Sequence, residues 1–137
     1  MRINAVFALL TVLAVPSPAL AQLAIPGAPK VVATTPRNGA VVDPGPLKLS
    51  VTFDKPMKAG GWSFVTSGDG AYPDCGKIPV QSADKKTFTL TCDLAPNMVW
   101  ALGFNSMLYR NFKSADKGIA AVPAKLWFRT APVPLLR

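Results

Sequence analysis

Leu47-Lys48-Leu49-Ser50-Val51-Thr52-Phe53 alternates apolar and polar side chains without a break. In an extended chain, successive side chains point to opposite faces. Leu47, Leu49, Val51 and Phe53 therefore share one face, and Lys48, Ser50 and Thr52 the other. This is the pattern of a strand buried on one side, and such strands hide their apolar faces against a second sheet. Pro44-Gly45-Pro46 precedes the stretch and Asp54-Lys55-Pro56-Met57 ends it, both with turn chemistry.

Outward from this stretch the same signature recurs. Lys30–Thr35 (KVVATT) reads as a strand stopped by Pro36, with Arg37-Asn38-Gly39 as the turn. Trp62–Thr66 (WSFVT) follows Gly60-Gly61 and ends at Ser67-Gly68-Asp69-Gly70. Tyr72–Val80 is irregular and carries Pro73 and Pro79. Asp84-Lys85-Lys86 turns into Thr87–Cys92, where Phe88, Leu90 and Cys92 share a face. Val99–Phe104 places Trp100, Leu102 and Phe104 together, and Lys125–Thr130 is the last strand. All seven acidic residues are Asp, which favours turns, and Glu, which favours helix interiors, is absent. The expected fold is all-β, an immunoglobulin-like β-sandwich of about seven short antiparallel strands.

The N-terminus reads as an export leader. Arg2 supplies a positive start, Ala5–Val15 is apolar except for Thr11, and Pro16-Ser17-Pro18 leads to the small-x-small site Ala19-Leu20-Ala21. The apolar run is far shorter than the roughly 20 residues that span a bilayer. Cleavage is expected before Gln22, with residues 22–29 as a flexible Pro/Ala-rich lead-in, 30–131 as the sandwich and 132–137 as a tail. No cysteine follows the cut to take a lipid, and no stable membrane anchor is expected after it. The setting is periplasmic or extracellular. In that setting the lone pair Cys75 and Cys92 reads as a disulfide, and the C-x-x-C spacing of a redox pair is missing.

The formal net charge is +8, and removal of Arg2 lowers it by one. The lysines are scattered singly over predicted loops, with no basic stripe, so a nucleic-acid partner is not expected. Such a surface suits anionic components of the cell envelope.

Thr35-Pro36-Arg37-Asn38-Gly39-Ala40-Val41, the following strand, and Phe53-Asp54-Lys55-Pro56-Met57 form an ordered set. Leu94-Ala95-Pro96 with Trp100, Phe112–Gly118 (FKSADKG), and Leu126-Trp127-Phe128-Arg129-Thr130 continue it. In order and spacing the chain resembles bacterial immunoglobulin-like domains of the surface-layer-protein type. Trp100 stands where that family carries Tyr, and an indole N–H only donates, from another place on the ring. The resemblance implies an extracytoplasmic sandwich of the kind used as an accessory or adhesive module. The opening motifs are also similar to small periplasmic copper-binding sandwich proteins, which depend on histidine.

No histidine is present, which excludes Ser-His-Asp and Cys-His machinery and His-based zinc sites. Asp54, Asp69, Asp74 and Asp116 sit in turn sequences, and Met57, Met98 and Met107 are far apart in the chain. No catalytic residue, metal site or cofactor is expected. The expected function is a non-catalytic module that binds or supports other envelope components, protein or glycan. A small periplasmic ligand or copper carrier is the alternative.

Asn105–Lys113 (NSMLYRNFK) mixes aromatics, amides and cations, as binding loops on sandwich ends do. The candidate recognition residues are Trp62, Asn105, Tyr109, Arg110 and Asn111. The competing expectation is that Asn105 and Asn111 bond loop backbone while Leu108 and Phe112 plug the end of the core.

Overall fold

The computed structural model describes residues 25–133. The expected leader at 1–21, the start of the lead-in and residues 134–137 lie outside the described residues. Among the described residues eight strands build the domain: β1 (Val31–Thr35), β2 (Val41–Val42), β3 (Gly45–Phe53), β4 (Phe64–Val65), β5 (Val80–Gln81), β6 (Thr87–Leu94), β7 (Val99–Phe104) and β8 (Ala124–Thr130). They form two four-stranded sheets, β1-β3-β6-β5 and β2-β8-β7-β4. The expected two-sheet, all-β sandwich is the observed fold, with the disulfide Cys75–Cys92 formed.

Two features depart from about seven antiparallel strands. Two of the two-residue strands among the described residues, β2 and β5, are announced by no periodicity, and β2 pairs with β8 in parallel. After β1 the chain crosses to the other sheet. Gly39 N–H donates to Trp127 O at 2.7 Å and Arg129 N–H to Ala40 O at 2.9 Å, which sets β2 beside β8 before β3 returns to the first sheet.

Alternation places the core. Leu49, Val51 and Phe53 of β3 and Phe88, Leu90, Cys92 and Leu94 of β6 face Trp100, Leu102 and Phe104 of β7 and Leu126 and Phe128 of β8. Phe112 comes from the loop after β7, not from a strand, and is fully buried. Its ring lies 5.0 Å from those of Phe53 and Phe88 and 5.1 Å from that of Phe64, tilted or edge-on. These are favourable aromatic geometries, and Phe112 plugs this end of the core as one of the two expectations held.

One side of the sandwich is built differently. The edge strands β4 and β5 are two residues each, so neither sheet is fully extended there. A strap crosses the opening instead. Ala71 bridges to Trp100 on β7 in one sheet, and Cys75 pairs with Cys92 on β6 in the other. Backbone bonds Asp93 N–H to Asp74 O at 2.8 Å and Gly76 N–H to Thr91 O at 2.9 Å flank the disulfide.

Candidate functional site

The loop after β7 is shaped by its first residue. Asn105 has φ 61, a left-handed backbone that Asn tolerates better than most side chains. Its side chain is buried and fully used. Nδ2 donates to Phe112 O at 3.0 Å and Ala121 O at 3.1 Å, and Oδ1 accepts from Phe112 N–H at 3.0 Å. Asn105 N–H donates to Ser63 O at 2.9 Å, and Asn111 N–H donates to Ser63 Oγ at 3.0 Å. Both ends of the loop are thus tied to the residue before β4. Between them, Ser106 N–H donates to Tyr109 O at 2.8 Å, and Ser106 Oγ accepts from Leu108 N–H and Tyr109 N–H.

This geometry corrects two expectations. The amide of Asn105 bonds inward and does not reach a surface ligand, because every polar atom it owns is committed to the loop stem. Leu108 does not plug the core; it stands on the loop tip in solvent, while Phe112 is the loop residue that enters the core.

A groove of about 790 Å³ opens between the β4 edge and the strap. Trp62–Thr66 form one wall, Tyr72–Lys77 the other, buried Leu90 the floor, and exposed Tyr109 and Asn111 the rim. Gly61 makes this closeness achievable. A Cβ there would lie 2.8 Å from Asn111 O, so only glycine lets the approach to Trp62 rest on the loop backbone. A second hollow is lined by 58–62 with Asn111 and Lys113, and Lys58 N–H donates to Lys113 O at 2.8 Å.

Of the residues singled out from the sequence, Trp62, Tyr109 and Asn111 converge on the groove. Arg110 is exposed on the same loop but does not line it. Tyr72 and Lys77 are not among the residues the sequence marks, and Asp74 reads there only as a turn residue. Their stretch lacks periodicity, and its position against β4 depends on the Ala71 bridge and the disulfide. Burial pushes the Tyr72 phenol above its ordinary range, so it stays neutral and able both to donate and to accept. Trp62, Tyr72 and Tyr109, with the amide of Asn111, the carboxylate of Asp74 and the ammonium of Lys77, form a recognition set suited to stacking and hydrogen bonding. The described methionines do not gather. Met57 is in the core, while Met98 and Met107 lie beyond opposite ends of β7.

Residues 26–109 match the family model described as Bacterial Ig-like domain, more than half of the chain. No curated protein matches it. The matched stretch contains β1 to β7, the strap, Trp62 and Tyr109; Asn111 and β8 lie beyond it.

Proposed function

We propose that this chain, which belongs to the bacterial Ig-like domain family, is an exported, non-catalytic module that holds another cell-envelope component, protein or glycan, in the groove beside β4. Domains of this family are typically non-catalytic surface or adhesion modules, and a disulfide-bonded Ig-like domain fits an extracytoplasmic setting. The observation that carries the proposal is the convergence of Trp62, Tyr72 and Tyr109, from three separate segments, on one groove over an apolar floor. Concave sites with apolar walls and a few polar groups are where ligands bind on stable scaffolds. Aromatic faces stack on sugar rings or apolar side chains, and Asn111 and the Tyr72 hydroxyl add direction.

The test is capture from envelope extract by the purified protein, with peptidoglycan fragments titrated in parallel and followed by amide chemical shifts. Replacing Tyr109, which is exposed, by Ala is expected to weaken capture with the thermal midpoint little changed; adding Trp62→Phe, which keeps an aromatic side chain packed against the core, should bring the loss to tenfold or more, about 1.4 kcal/mol. Capture that survives both replacements unaltered defeats the groove reading. Shifts with glycan fragments and no protein capture assign the glycan; the reverse assigns a protein.

A further inference from the structure

The loop tip Met107-Leu108-Tyr109 presents three consecutive apolar side chains to solvent, at 87%, 86% and 61% exposure. Met107 and Leu108 are the most exposed large apolar side chains among the described residues. Ser106 closes the tip with its N–H and Oγ, and Asn105 and Ser63 clamp the stem. The buried Asn105 bonds therefore hold a short, convex apolar point outward.

Cations stand behind that point. The adjoining segments 58–62 and 105–113 contain Lys58, Arg110 and Lys113 and no acidic residue. Arg110 follows Tyr109 directly, and Lys58 and Lys113 leave one hydrogen-bonded backbone pair beside the same loop. We propose that Met107, Leu108 and Tyr109 form a wedge that enters an anionic lipid bilayer surface, with Arg110, Lys113 and Lys58 meeting headgroup phosphates.

The layering matches the chemistry of that surface. Flexible apolar side chains at the tip suit the acyl boundary, a tyrosine suits the interface, and cations behind it suit the phosphates. A convex point needs a ligand that deforms around it, which lipid does; a protein would need a preformed socket. A wedge this small with three cations implies weak, reversible, salt-sensitive attachment. Met107 and Leu108 do not line the groove, so this surface is distinct from the groove although Tyr109 borders both.

The test is co-sedimentation of the whole exported protein with phosphatidylcholine vesicles prepared with and without phosphatidylglycerol. Binding is expected only with phosphatidylglycerol and is expected to fall as salt rises. Met107→Ser with Leu108→Ser is expected to weaken it roughly tenfold, and Arg110→Gln with Lys113→Gln to remove most of its phosphatidylglycerol dependence. Met107, Leu108 and Arg110 are exposed on the loop and Lys113 is half-buried in a bridge to Ala120, so an unchanged thermal midpoint is required of each variant to verify folding. In a separate Leu108→Trp variant, emission should shift to the blue on adding the anionic vesicles and be quenched by brominated lipid. Absence of phosphatidylglycerol-dependent binding, or equal binding by the serine double variant, overturns the proposal. So does capture of a protein that the serine variant loses when no vesicle binding occurs, which would make the tip a protein contact.

Discussion

The indole N–H of Trp100 donates to Oγ1 of Thr130 at 3.2 Å, and that hydroxyl donates onward to the carbonyl of Ala95 at 2.7 Å. Met98 N–H also donates to Thr130 Oγ1, at 3.2 Å. A hydroxyl has one proton and two acceptor positions, and here all three are used. The last residue of β8 thereby fastens the turn that precedes β7. Immunoglobulin-like sandwiches commonly fasten this corner with a tyrosine hydroxyl. Here indole and threonine divide the work, because Nε1 lies elsewhere on its ring and can only donate.

Thr130→Val keeps the shape but leaves two N–H groups and a carbonyl without this partner. It is expected to cost about 2–3 kcal/mol, read as a lower urea midpoint with an unchanged slope. Thr130→Ser keeps the hydroxyl and should lose much less. Equal midpoints for Val and the parent would show that solvent replaces the relay at no cost.

Asn105 contributes both a left-handed backbone and three side-chain bonds. The two contributions separate by substitution. Asn105→Gly keeps the backbone freedom and loses the bonds; Asn105→Ala loses both. The expected stability order is parent, Gly, Ala, with Ala lower than the parent by about 3 kcal/mol. Amide exchange at Phe112 should quicken in both variants. A Gly variant as stable as the parent would remove the side chain from the account of the loop.

The disulfide closes a segment of sequence separation 17. Replacing Cys75 and Cys92 by Ala is expected to lower stability by about 3 kcal/mol on the chain-entropy argument. Because the bridge also pins the strap, amide exchange across Tyr72–Lys77 should rise more than across β3. Uniform exchange changes over the whole domain would show that the strap is held by its backbone bridges alone.

The long strands were legible because burial on one face writes period two into the chain, as in Leu49, Val51 and Phe53. β7 exceeds that reading. Its outward Ala101 and Gly103 are buried too, since Gly70 and Val65 lie against them, a consequence of neighbours distant in sequence. β4 is shorter than the stretch Trp62–Thr66 read as strand, because only Phe64 and Val65 pair with β7. β2 and β5 are too short to carry a period. The site was half legible. Composition marked Trp62, Tyr109 and Asn111, but nothing local distinguishes inward Asn105 from outward Asn111, or outward Leu108 from inward Phe112. That choice is made by where the loop stem meets Ser63 and Ala121.

Asp84 provides a pH test of the turn joining β5 and β6. Its Oδ1 accepts from Ser82 Oγ at 2.6 Å and from Lys86 N–H at 3.0 Å, while Ser82 Oγ accepts from Thr87 N–H at 3.0 Å. The Ser82 bond, followed by the Lys86 N–H, holds the Asp84 carboxyl below its ordinary value. These bonds favour the charged form, so their contribution is fully present above the unfolded value near 4. It is lost as pH falls through the lower folded value, which places the loosening of this turn in acid and not near neutrality. The turn also receives Met57 N–H on Lys85 O and Phe53 N–H on Lys86 O, so loosening should reach the end of β3. Amide shifts of Lys86 and Thr87 followed from pH 7 downward should move together with a midpoint below about 4. Ser82→Ala removes the larger cause and should raise that midpoint towards the ordinary carboxyl value. A midpoint already at the ordinary value in the parent, or one that ignores Ser82→Ala, would remove Asp84 from the set of groups that hold this turn.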